Sequence, residues 1–104
     1  MPETCALCGR PAPDLTEHHL IPRSEHARLR GRPGFDREAA RQQTVTLCVP
    51  CHRTVHAELS SRELAEDFRT LEALRKHPGI ARFVAFARRQ DPGKRIAVRR
   101  PRKD

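Results

Sequence analysis

Residues 47–56 read "LCVPCHRTVH". Two cysteines three positions apart are followed at once by one histidine, and by a second four residues later. A Cys-x-x-Cys turn presents two thiolates from one knuckle, the pairing that zinc sites use. If the chain then enters a helix, His52 and His56 share one face and can grip a single metal ion. Just upstream, Thr44, Val45, Thr46 and Leu47 form a short β-favouring run. The stretch therefore predicts a strand, a metal-binding knuckle and a helix in succession.

The missing sulfur ligands lie near the N-terminus, where "CALC" at 5–8 forms a second knuckle. Cys5, Cys8, Cys48 and Cys51 together supply the four thiolates of a closed tetrahedral structural zinc site. A redox pair or unrelated buried cysteines would be the alternatives. Between the knuckles, "TEHHLIPRS" at 16–24 sets two histidines side by side. On a strand, neighbouring side chains point to opposite faces, so His18 and His19 are expected to do different work.

The chain has 104 residues, which suits one domain, and only 37% of them are hydrophobic, so its core is thin and a metal staple helps. No apolar run approaches the ~20 residues that span a bilayer. The start, "MPETCALCGRPAPD", lacks a basic region followed by an apolar one, so no secretory signal is read. A cytoplasmic location with reduced cysteines and no membrane partner is the expectation. The net charge is +8, a balance that draws a chain toward polyanions, nucleic acid first. Arginine outnumbers lysine 18 to 3; its planar fork suits phosphate, although G+C-rich coding gives the same bias. With four Phe and neither Trp nor Tyr, stacking on single-stranded bases is poorly supplied, which leaves backbone contact.

The segment 23–42 reads as a basic connector broken at "GRPG", with one helical turn on either side. Downstream, Ser60 and Glu63 form a capping box for one amphipathic helix striped by Leu64, Phe68, Leu71 and Leu74. A second helix opens on Pro78 and is striped by Ile80, Phe83, Val84 and Ala87. Six of the ten residues from Lys94 to Lys103 are basic. The expected organisation is a single domain over 1–93, with a core at 5–57 and C-terminal helices within 60–90, followed by a basic flexible tail at 94–104. There are no internal repeats. His26 and His77 read as surface or packing residues, His26 with some claim to phosphate.

"CALC", "HHLIP", "LCVPC" and "CHRTVH" follow one another in the order and spacing of the HNH (His-Asn-His) endonucleases, also called ββα-metal nucleases. The chain resembles their small bacterial or phage-type members with a four-cysteine zinc site. The match covers about residues 5–57, and the helical tail is also similar. The resemblance implies an α+β fold with a treble-clef-like ββα-metal core, stapled by zinc and followed by two helices and a basic tail. It implies that His19 is the general base and that His18, His52 and His56 hold one catalytic divalent ion. The family's middle Asn, a brace for the loop that bears the base, falls at Gln43, whose amide offers the same groups on one more methylene.

The expected reaction is hydrolysis of DNA phosphodiester bonds, by nicking or cleavage with little sequence choice, leaving 5′-phosphate and 3′-hydroxyl ends. Imidazole suits the base role because its unperturbed pKa of about 6.5 lies near working pH. Three imidazoles prefer Mn, Ni, Co or Zn, with Mg a poorer match. Arg23, Arg28, Arg30, Arg32, Arg53, Arg95, Arg99, Arg100 and Arg102 are the expected contacts to the DNA backbone. The sequence leaves open DNA against RNA, oligomeric state and biological role. A non-catalytic zinc-stabilised nucleic-acid-binding or adaptor module is the competing reading. A thiol-redox protein, with free cycling cysteines, is the third.

Overall fold

The short polar strand β1, Leu15–His19, pairs antiparallel with β2, Thr44–Cys48, in a register that runs from Leu15 opposite Cys48 to His19 opposite Thr44. The β-branched Thr44, Val45 and Thr46 suit this pleated surface. One further rung, Leu20 N–H to the Gln43 carbonyl at 3.0 Å, carries the pairing past the end of β1. A computed structural model gives these placements and describes residues 4–12 and 14–91 together with Ile96 and Val98.

The basic connector does hold helical turns on both sides of its break. A 3-10 turn at Arg23–Glu25 runs into α1, His26–Leu29, and α2 follows at Arg37–Gln42. Asp36 caps α2 by accepting from the Glu38 N–H at 3.0 Å, the usual service of an N-cap carboxylate. The connector is anchored by a small apolar cluster of Ile21, Leu29 and Ala40 with Ala65 of the later helices. His26 is a packing residue: it is buried, and its Nε2 lies 3.0 Å from the Ile21 carbonyl.

Helix α3, Val49–Glu58, starts directly from β2, with Cys48 as N-cap and Pro50 in the first turn. Beyond it come α4, Ser61–Asp67, α5, Leu71–Lys76, and α6, Pro78–Ala87. The Ser60–Glu63 capping box is present as expected. The single helix expected after it is not: it divides at Phe68, and among the described residues three helices follow α3 where two were expected. The cause is Thr70, whose hydroxyl accepts from the Ala73 N–H at 3.1 Å and caps a new helix. His77 does the same for α6, its Nδ1 accepting from Gly79 and Ile80.

The apolar stripe survives the break. Leu64 and Leu74 are fully buried, and Phe68 and Leu71 pack against the same cluster. That cluster joins Leu47, Val55, Leu59, Ile80, Val84 and Ala87 to all four cysteines. Among the described residues, no helix is long and apolar enough to cross a membrane. The tail at 94–104 lies almost wholly outside the described residues.

Candidate metal centre

The first knuckle turns tightly at Gly9, whose φ of 77 is open to glycine at little cost. Its N–H returns to the Cys5 carbonyl at 2.8 Å, and the Cys8 N–H points at the Cys5 Sγ at 3.4 Å. The Ala6 N–H donates to the Thr46 carbonyl at 2.8 Å, which seats the knuckle on the free edge of β2. Cys48 ends β2 and Cys51 lies in the first turn of α3, so strand and helix bring the second pair to the first. All four sulfurs lie within 4.8 Å of one another, each cysteine is buried and none is in a disulfide.

Four thiols at this distance compete for protons. The hydrogen bonds from Cys48 and then Cys51 pull the Cys5 thiol well below its ordinary value, while those from Cys48 and then Cys5 push Cys51 up. Only a cation between them lets all four ionise. Arg10 shows which charge the site is built for. It is only 6% exposed, with Nε 3.4 Å from Cys8 Sγ and a second guanidinium nitrogen 3.9 Å from Cys48 Sγ. A buried guanidinium needs anionic partners. The four buried cysteines could thus hold a structural metal ion such as zinc. Around them, Arg10 donates to the Asp91 carbonyl, and Arg75 and Arg88 donate to the Ala6 and Leu7 carbonyls.

The second cluster crosses from strand to helix. His18 of β1 meets His52 and His56 of α3, with ring centroids 5.2 and 5.4 Å from His18 and 5.0 Å between the helical pair. One donor nitrogen from each lies within 4.8 Å of the others. His18 is buried, and its Nε2 has no hydrogen-bond partner among the described residues. Burial, reinforced by the neighbouring imidazoles, pushes His18 down to about 3 and His52 down to about 4. Both are therefore neutral at neutral pH, the state a metal ligand needs. With the His18 Nε2 unpartnered among the described residues and facing two more donors, the three histidines could hold a metal ion. Thr16 completes the cluster: its Oγ1 lies 2.8 Å from the Leu47 carbonyl and 2.8 Å from His52 Nδ1.

His19 stands apart from this trio. Its side chain is 30% exposed and its Nε2 is 3.9 Å from Glu17 Oε1. It opens with Glu17, Pro22 and Arg23 onto a cavity of about 250 Å³ that the three clustered histidines also line. Gln43 is not among the residues lining this cavity: it is exposed, its carbonyl accepts from Leu20 N–H, and it borders a separate cavity with Leu20, Ile21 and Phe35.

Of the arginines singled out from the sequence, Arg23, Arg30 and Arg53 are exposed, and Arg23 borders the cavity. Arg28 and Arg32 are engaged within the chain: Arg28 pairs with Glu25 at 2.8 Å and with Glu66 at 2.7 Å, and Arg32 with Glu66 at 3.2 Å. Arg95, Arg99, Arg100 and Arg102 lie outside the described residues. Thr16 and Arg10 are absent from the sequence-derived site. A signal for Thr16 did exist, because two residues before His18 on a strand means the same face.

Over 96 residues the chain is 38% identical to the uncharacterized protein YisB of Bacillus subtilis (strain 168), an alignment covering 92% of this chain and 84% of the relative. The chain belongs to the family of YisB. No family model matches it, and no solved structure does. The kinship with YisB brings no activity with it, so the function has to be reasoned from the chemistry of the two clusters.

Proposed function

We propose that the chain is a metal-dependent HNH endonuclease with a ββα-metal core, hydrolysing DNA phosphodiester bonds with little sequence choice and leaving 5′-phosphate and 3′-hydroxyl ends. The observation that carries this reading is the pairing of two unlike histidine environments in one cavity. Three imidazoles converge around a buried, unpartnered nitrogen, and a fourth, His19, opens to solvent beside them. A structural zinc knuckle alone would need none of these four.

In this reading His19 takes the proton of the attacking water on its lone-pair ring nitrogen. Glu17 Oε1 lies 3.9 Å from the Nε2 of this ring. Arg23, which lines the cavity, would donate to a phosphate oxygen. When bound by His18, His52 and His56, a divalent ion supplies Lewis-acid charge to the phosphate. The neutral nitrogens of that set favour Mn, Ni, Co or Zn over Mg. The net charge of +8 and the exposed Arg30 and Arg53 would hold the DNA backbone without reading bases.

Cleavage of supercoiled plasmid by purified, zinc-loaded protein tests this, with and without added Mn, Ni or Mg, beside His19→Ala. The expected result is metal-dependent nicking that falls by at least about 100-fold in the variant, while zinc content and DNA binding persist. If neither protein cuts under any metal and both bind DNA, the chain is a zinc-held binding module.

A further inference from the structure

Thr16 Oγ1 makes two contacts of 2.8 Å, one to the Leu47 carbonyl and one to His52 Nδ1. A hydroxyl has one proton to give and two lone pairs to receive with. The Leu47 carbonyl has no proton at all, so an oxygen–oxygen separation of this length requires the threonine proton to lie between them. Nothing is then left for the threonine to donate to the ring. The contact to His52 must be made by a proton on Nδ1, received by a lone pair of Oγ1.

We propose that Thr16 is a positioning residue that fixes His52 as its Nδ1–H tautomer and so leaves the Nε2 lone pair free for a divalent cation. The tautomer opposite to this one, Nε2–H, is the form free imidazole side chains favour, so His52 needs a partner to hold it. That partner is rigid, because Thr16 is β-branched, lies within β1 and is tied by its hydroxyl to the opposite strand. The hydrogen bond also fixes the plane of the ring and adds basicity to the far nitrogen, which is how outer partners strengthen metal-bound histidines elsewhere. Its metal-holding half rests on the nuclease reading; the tautomer itself does not.

Long-range proton–nitrogen NMR spectra of the zinc-loaded full chain read the tautomer directly, in the wild type, Thr16→Val and Thr16→Ser. Calorimetric titration with nickel(II), with zinc retention checked, reads the second site. His52 is expected as Nδ1–H in the wild type and in Thr16→Ser, and as Nε2–H or a mixture in Thr16→Val. Nickel affinity is expected to fall about 10- to 100-fold in Thr16→Val and to be largely restored in Thr16→Ser. A proton on Nε2 in the wild type overturns the role. So does a Thr16→Val protein with unchanged tautomer and affinity, which leaves the nuclease reading intact. A wild type that takes up no second ion, yet shows the Nδ1–H form, removes the metal half of the role together with the nuclease reading and keeps the tautomer assignment.

Discussion

His18 and His52 resist protonation because burial strips water from the charged form and each faces other imidazoles. Unfolded, both titrate near 6.5; folded, they do so near 3 and 4. Below about pH 6.5 the unfolded chain thus binds protons that the folded chain refuses. Stability contributed by these groups is complete above that pH and is lost progressively as pH falls toward 4 and then 3. Thermal denaturation of protein carrying zinc at the cysteines, followed between pH 7 and 4, should show the decline, and His18→Asn should flatten it. An equally steep profile in that variant would place the titration elsewhere. Residues of this kind were legible in sequence, since a cysteine or histidine announces its chemistry by type and spacing. Thr16 and Arg10 were not, because their meaning depends on which atoms lie across the fold. The same holds for Arg28 and Arg32, which look like phosphate ligands until Glu66 is seen beside them.

Local capping, more than apolar pattern, decides where the helices of the C-terminal half begin. Ser60 was readable as a cap because Glu63 closes the box. Thr70 was not, since Leu64, Phe68, Leu71 and Leu74 stay in helical phase across the break and mask it. Phase records only that those four residues face one core, and two short helices can satisfy it as well as one long helix. Thr70→Ala should therefore lower unfolding stability by about 1 kcal/mol, measured by chemical denaturation, and should fray α5. A gain in stability would mean that α4 and α5 prefer to fuse and that the cap holds a bend the core does not need. The strand pair and α3 were easier to foresee, because β-branched residues, a knuckle and paired histidines each mark one element in turn.

Taken whole, the molecule has its cysteines inside the main core and not at its edge. The first knuckle lies against β2, α5 and α6 through backbone bonds from Ala6 and side-chain bonds from Arg75 and Arg88. Free energy of metal binding is then folding free energy for the entire chain. Stripping zinc with a chelator should collapse the helical circular dichroism of α4 to α6 together with the signals of the strand pair, in proportion to the metal lost. Retention of the C-terminal helical signal in the zinc-free protein would show two independent units. None of these long-range ties was legible beforehand, because an arginine near the C-terminus does not declare that it will bond a carbonyl near the N-terminus.

The pairing of β1 with β2 carries a further implication. Along β1, burial follows parity: Thr16 and His18 turn to α3, while Glu17 and His19 open toward solvent at the rim of the same cavity. A slip of one residue would exchange them, burying the solvent-facing imidazole and exposing the one meant for the cluster. A one-residue insertion within Leu15–His18 is therefore expected to break the cluster, because the parity that sorts the two faces is set by the pairing with β2. The connector between Leu20 and Gln43 does not set this parity, but Ile21, Leu29 and Ala40 anchor it against Ala65. The histidine cluster thus depends on strand register, a property of the pairing and of no single side chain.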